Sequence, residues 1–247
     1  MKASQLLAEK TIEKTLSQSV ALIPARAGSK RIPHKNRAII LDKPLVCYSI
    51  DFALSFLPTE RVFVSTDDLE IASISRDLGA QVIDRPSELA SDKASSGGVV
   101  QHAADIISKL IHVEWIVLLQ PTNPFRPANL IKDMLTLASG DGVQSVVAVS
   151  PLRQKIGLLG SDHRFHPVNY TFGQRSQDMT TQYFSENGLA YLTHLSLARK
   201  GYVVDDKPVA APIYSWHGAI DIDEPVDLEI ARAMAPRYIE EFQSYGF

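Results

Sequence analysis

Cysteine is almost absent from this chain: Cys47 is the single one in 247 residues, which excludes an intrachain disulfide. Its setting, PLVCYSIDFAL, is apolar and periodic, and reads as a small core residue, not a reactive thiol. Long hydrophobic runs are missing too. None approaches the ~20 residues that a bilayer span needs. The opening stretch, MKASQLLAEKTIEKTLSQ, breaks its apolar positions with charges, unlike a secretory leader. These absences lead to the expectation of a cytoplasmic protein without a membrane partner. Nor is there an excess of positive charge: 25 Lys and Arg stand against 28 Asp and Glu, net charge -3, sequence pI near 6.2. That argues against a general nucleic-acid binder. Several catalytic patterns are lacking. No His/Cys cluster has zinc-ligand spacing, and no serine sits in a nucleophile elbow. Neither G-x-x-x-x-G-K-[ST] nor G-x-G-x-x-G occurs. His34 falls inside the cationic loop as a weak candidate, and His102 and His217 read as structural.

What is present is an ordinary globular composition, 45% hydrophobic and 21% charged, in a chain long enough for one large domain. Residues 1–18 read as an appended amphipathic helix with Leu6, Leu7 and Ile12 on one stripe. The rest, 19–247, forms one domain. VALIP is a short buried strand, KPLVCYSIDFALSFL a helix, RVFVST a strand, and DDLEIASISRDLG a helix closed by Gly79. AQVID, GGVVQHAADIISKL, EWIVLLQP, PANLIKDMLTLASG and QSVVAVS continue the alternation. This rhythm predicts an α/β fold with a mostly parallel, doubly wound sheet. From Pro151 the rhythm breaks, and 151–186 is polar and without clear period. Then GLAYLT, PVAAPIYS and GAIDID read as strands, and EPVDLEIARAMA as the last helix.

The loop ARAGSKRIPHKN concentrates cations in an acidic chain. It leaves the end of the first strand, where ligands of open parallel sheets bind. Gly28 and Ser29 let backbone amides approach an anion, while Arg26, Lys30 and Lys35 bring charge. That combination suits a triphosphate. Near the C-terminus, Asp221 and Asp223 stand two apart in AIDID, and a strand would put both on one face. With phosphate oxygens and water they would form a Mg2+ site. Asp67 and Asp68 open a helix, and read as N-caps.

IPARAGSKRIPHKN resembles the signature of the sugar-acid cytidylyltransferases that make CMP-sialic acid and related CMP-nonulosonates. VSTDDLEIA, GAQVIDRPSELASDKAS, LLQPTNPFR, NGLAYL and DIDEPVDLEIA resemble further blocks of that family in its order, over roughly residues 20–235. The wording SKRIPHKN favours the nine-carbon branch over the 3-deoxy-octulosonate enzymes. The resemblance implies a Rossmann-like nucleotidyltransferase fold, with CTP lying over Ala25, Arg26, Gly28, Ser29, Lys30, Lys35 and Asn36. Arg85 would face the cytosine ring, as a guanidinium can donate to its carbonyl and ring nitrogen. Gln120, Asn187 and Tyr191 would touch the sugar. Arg175 would match a sugar-carboxylate arginine, although RSQDMTTQYFSENG departs from the family's R-Q-x-x-P-x-x-F-x-x-N-G. Catalysis would rest on Arg26, Lys30, Asp221 and Asp223, the last two holding Mg2+ or Mn2+.

The implied reaction is attack of the anomeric hydroxyl of a nonulosonic acid on the α-phosphorus of CTP, releasing pyrophosphate. Sialic, legionaminic, pseudaminic or 3-deoxy-octulosonic acid are the candidate acceptors. The family's habit also implies a homodimer in which 151–186 reaches over the partner's site. Two rivals are a metal-dependent glycosyltransferase, which needs the cationic loop less, and a nucleotide-sensing module, which does not need the aspartate pair.

Overall fold

A computed structural model describes residues 2–179 and 182–244, with side chains from Lys10 onward. The chain opens with α1 (Lys2–Ser17), which lays Ile12 and Leu16 against the core. Leu6 and Leu7, expected on the same stripe, have side chains outside the described set. Strand β1 (Ser19–Pro24) follows, then a loop, and a small hairpin of β2 (Ile39–Ile40) and β3 (Lys43–Pro44). The alternation continues through α2 (Leu45–Leu54), β4 (Val62–Thr66), α3 (Leu69–Asp77) and β5 (Gln81–Asp84). Next come α4 (Ser87–Ala90), α5 (Ser96–Leu110), β6 (Trp115–Leu118), α6 (Leu130–Ala138) and β7 (Ser145–Leu152). A second hairpin, β8 (Gly157–Leu159) with β9 (Phe165–Pro167), precedes β10 (Tyr183–His194), α7 (Leu195–Ala198), β11 (Val209–Pro212) and α8 (Pro225–Ser244).

One seven-stranded sheet runs in the order β11-β7-β10-β6-β1-β4-β5. All neighbours pair in parallel except β10, which is antiparallel to both β6 and β7. β1 shows why the chain adopts this form. Ala21 and Ile23 pack into one core cluster, and Val20 and Leu22 into the other. A strand buried on both faces reads as a continuous apolar run, as VALIP does. α2 and α6 cover the first face with Val46, Ile50, Leu130 and Met134. α5 covers the second with Val100, Ala103 and Ile107. A third cluster, Tyr48, Phe125, Leu228 and Tyr238, seats α8.

One expected strand needs correction. GAIDID is not a strand: Trp216–Ala219 is a short 3-10 turn, and the following residues are irregular. The polar, aperiodic stretch 151–186 nonetheless holds regular structure. β7 and β10 run on together as a ribbon, Glu186 opposite Val149 and Tyr183 opposite Leu152, and the β8–β9 hairpin lies beyond it. Thr180 and Thr181, in this excursion, lie outside the described residues. The last helix also outruns EPVDLEIARAMA. Pro236 lies inside it, and burial of Tyr238 with packing of Phe242 on the core offsets the lost amide donor.

Candidate active site

Strand order reverses between β1 and β6, because β4 and β5 continue on one side and β10 on the other. At the carboxyl ends of such neighbours the following loops diverge and leave a crevice. The cleft found there has a volume of about 510 Å³, ample for a nucleotide. Its wall carries five cations, Arg26, Lys30, Arg31, Lys35 and Arg85, against two carboxylates, Asp92 and Asp223. An excess of three positive charges in a chain of net charge -3 marks an anion site.

The first loop is held in shape by its own backbone. The Ala25 amide donates to Ser65 O at 2.9 Å, prolonging the β1–β4 pairing. The Ala27 amide donates to Asp67 Oδ1 at 2.8 Å, and Asn36 Nδ2 donates to Arg26 O at 2.9 Å. Gly28, Ser29 and Lys30 then line the cleft. Lys35 turns away from open solvent: Nζ donates to Ile222 O at 2.7 Å and to Asp223 Oδ1 at 3.0 Å. It thus ties the first loop to the last. Arg31 braces the same join, its Nη1 2.9 Å from Glu224 Oε1.

Arg85 follows β5 and is 8% exposed. Its Nη2 donates to Ser65 O at 2.7 Å and its Nε to Ser65 Oγ at 3.2 Å. Burial pushes its pKa down to about 10; Asp67 opposes this and Arg26 adds to it. It stays charged at neutral pH, with a fixed plane at the cleft wall. On the opposite wall Gln120 ends the β6 segment, beside Pro121 and Thr122.

Three residues the sequence reading passed over shape this site. Asp92 pairs with Arg26 Nη1 and with Lys30 Nζ, both at 2.9 Å. Its signal was present: an acidic chain that gathers cations must neutralise them somewhere, and SELASDKAS offers an aspartate. Arg126 is fully buried, donating through Nη2 to Gln120 O (2.8 Å), Nε to Leu189 O (2.7 Å) and Nη1 to Ser49 Oγ (3.1 Å). Burial lowers its pKa to about 10. Asn123 Nδ2 donates to Asn187 O at 2.8 Å and Ile220 O at 3.2 Å, while the Ile222 amide reaches Thr122 O at 2.8 Å. Polar residues between the prolines of QPTNPFR were the available clue.

Ala25, Asn187, Tyr191, Arg175 and Asp221 are not part of the cleft's lining. The Ala25 side chain is buried and its amide is committed to Ser65. Asn187 is a clamp. Its Nδ2 donates to Ser150 Oγ at 3.0 Å and its Oδ1 accepts from the Leu189 amide at 3.1 Å. Tyr191 packs in the core and donates to Glu186 Oε2 at 3.2 Å; burial first, then Glu186, pushes its hydroxyl up to about 12. Arg175 stands on the excursion and pairs with Asp178 at 2.7 Å, away from this cleft. Asp68 caps α3 as expected, accepting from Glu70 N and Ile71 N. Asp67 does not; it holds Ala27 instead.

The aspartate pair is presented by a loop, not a strand. Asp223 lines the cleft with Lys35 and Arg31 against it. Asp221 is open to solvent yet stands in a crowded recess. Desolvation there raises its pKa above the usual carboxylate value and Asp223 raises it further, while the Thr122 hydroxyl and Lys35 oppose the rise. A carboxylate so crowded gains from a nearby divalent cation, and the hard oxygen donors suit Mg2+. Among the described residues no group of three His, Cys, Asp or Glu forms a ready metal site. The pair fits such an ion once phosphate oxygens and water complete the shell. No helix among the described residues is long and apolar enough to cross a membrane.

Residues 20–200 match the family model described as Cytidylyltransferase. The N-acylneuraminate cytidylyltransferase of Escherichia coli is 32% identical over 221 residues, 86% of this chain and 51% of that protein. The chain thus spans about half the length of that relative. The CMP-N,N'-diacetyllegionaminic acid synthase of Legionella pneumophila is also 32% identical, over 84% of this chain and 92% of its own length. The pseudaminic acid cytidylyltransferase of Campylobacter jejuni is 28% identical over 88% and 96%. In fold, a solved CMP:2-keto-3-deoxy-manno-octonic acid synthetase complexed with CTP superposes with TM-score 0.66 at 17% identity, covering 89% of this chain and 99% of that one. A 4-diphosphocytidyl-2C-methyl-D-erythritol synthase from Anaerococcus prevotii gives TM-score 0.62 at 10% identity, covering 92% and 99%.

Proposed function

Because the chain belongs to the cytidylyltransferase family, we propose that it transfers CMP from CTP to the anomeric hydroxyl of a nonulosonic acid, releasing pyrophosphate. The observation that carries this reading is the cleft at the β1/β6 switch point, with five cations against two carboxylates. A triphosphate needs that excess, and a neutral sugar would not. Arg26 and Lys30 take the phosphates and neutralise the departing pyrophosphate. Amides near Gly28 and Ser29 approach the same charge. Arg85, already fixed by Ser65, reads the cytosine edge. Gln120 orients the acceptor sugar with an amide that both donates and accepts. Holding both substrates in line supplies much of the rate. A Mg2+ or Mn2+ ion on Asp221 and Asp223 would add charge neutralisation and a lower pKa for the attacking hydroxyl. Chelation should then abolish turnover and added Mg2+ restore it.

Homodimerisation belongs to the same proposal. The excursion exposes Leu158, Leu159, Phe165, Phe172 and Phe184 together, more apolar surface than a lone hairpin normally leaves in water. A second copy seated there brings Arg175 toward the neighbouring cleft. Light scattering should give twice the 27.2 kDa chain mass; a monomer at working concentration contradicts it.

The relatives act, by name, on sialic, legionaminic and pseudaminic acids at similar identity. The test is therefore a panel of these acids and 3-deoxy-octulosonic acid with CTP and Mg2+. Pyrophosphate release with one acid supports the proposal. Release with none contradicts it.

A further inference from the structure

We propose that Asp92 is a built-in competitor for the substrate phosphates, an affinity-setting residue that occupies the phosphate cations until a polyphosphate displaces it. The inference rests on reading the cleft as a triphosphate site. Its carboxylate bridges the two cations assigned to the phosphates, with Oδ1 on Arg26 Nη1 and Oδ2 on Lys30 Nζ, each at 2.9 Å. The guanidinium of Arg26 also reaches Ala90 O at 3.5 Å. Both cations are thereby drawn onto the 90–92 wall. Hydrogen bonds from Lys30 and Arg26 hold the Asp92 carboxyl below the usual carboxylate range, so it remains an anion whenever CTP is one. A carboxylate bound by two cations takes up the same charge-assisted donors that a phosphate group would use.

Displacement is feasible because the pair is accessible. Side-chain exposure is 77% for Lys30, 41% for Asp92 and 34% for Arg26, and solvent-screened ion pairs of this kind are weak. A triphosphate or pyrophosphate, bringing several charges at once, outcompetes a single carboxylate. Ligand affinity is then reduced by the fraction of molecules in which the pair is open. Any ligand that must take Arg26 and Lys30 meets this reduction equally, and a ligand without phosphate does not meet it. The device lowers affinity for the product pyrophosphate as well, which favours its release.

Calorimetry on wild type and Asp92→Asn, with inorganic pyrophosphate, CTP and cytidine as titrants, tests this. Removing the carboxylate should tighten pyrophosphate and CTP by roughly threefold to tenfold, as for two exposed ion pairs, and leave cytidine unchanged. Unchanged or weaker pyrophosphate binding by the variant overturns the inference, as does equal tightening of cytidine. Wild-type protein that binds neither CTP nor pyrophosphate overturns the reading of the cleft along with it. A second measurement needs no variant. In wild-type crystals with pyrophosphate, Asp92 should have left both cations; an intact bridge beside bound pyrophosphate contradicts the proposal.

Discussion

β5, β4, β1 and β6 run parallel under helices on both faces, whereas β10 enters antiparallel and runs out with β7 beyond the core. The first half supplies most of the cleft. Arg26, Lys30, Arg85, Asp92 and Gln120 all lie on loops that follow its strands. The second half supplies braces: Asn187 and Leu189 receive Asn123 and Arg126 through their carbonyls. Buried parallel strands fix where their loops emerge, so charges on those loops can be placed closely. A ribbon outside the core cannot do that alone, and here it carries exposed apolar side chains instead.

Arg126 is the seam between the halves, and breaking it should have the largest effect. Arg126→Met removes the guanidinium donors to Gln120 O, Leu189 O and Ser49 Oγ, and of these Gln120 O keeps the Asn123 amide. Loss of about 3–5 kcal/mol in urea unfolding is expected at one to three per buried unpaired group. A loss below about 1 kcal/mol would show that the halves are joined otherwise. Next, Lys30→Ala touches only the first half. It should cost about 2–4 kcal/mol in kcat/KM, with unfolding unchanged, because Lys30 is 77% exposed. Turnover at the wild-type level contradicts its role.

Gly188→Ala sharpens the comparison from the other side. Gly188 has φ +69°, and an added Cβ would run into Asn123 and lie 3.0 Å from Gln120 Oε1. The left-handed backbone alone costs about 1 kcal/mol. The displaced Gln120 should raise KM for the sugar acid while that for CTP stays near wild type. Equal rises in both would mean that the halves are not functionally divided. The smallest effect concerns His217, buried beside Trp216 and Glu241. Burial holds its pKa below the ordinary 6.5, although Glu241 opposes this. The unfolded chain then binds the proton more readily, so stability falls as pH drops from about 6.5 through the folded value. His217→Asn should flatten that slope in thermal melts between pH 7 and 5; an unaltered slope contradicts it.

The same division explains what could be read from the sequence. VALIP, RVFVST and EWIVLLQP announced the parallel core, since strands buried on both faces are apolar throughout. The cationic loop announced itself by contrast with an acidic chain. The excursion was opaque because its strands, exposed on both faces, carry no alternation for a period-two reading to find. AIDID misled for a related reason. Ile220 and Ile222 are buried at alternate positions as in a strand, yet they seat an irregular loop under α8. Asp92, Asn123 and Arg126 were hidden because their roles depend on partners 60 or more residues away.

The central claim is that cations after β1, with Arg85 and the last loop opposite, enclose a nucleoside triphosphate. Crystals soaked with CTP and Mg2+ test it most directly. The account expects phosphate oxygens at roughly 3 Å from Arg26 and Lys30, with the base against Arg85. An empty cleft, or CTP bound elsewhere on the molecule, would contradict it.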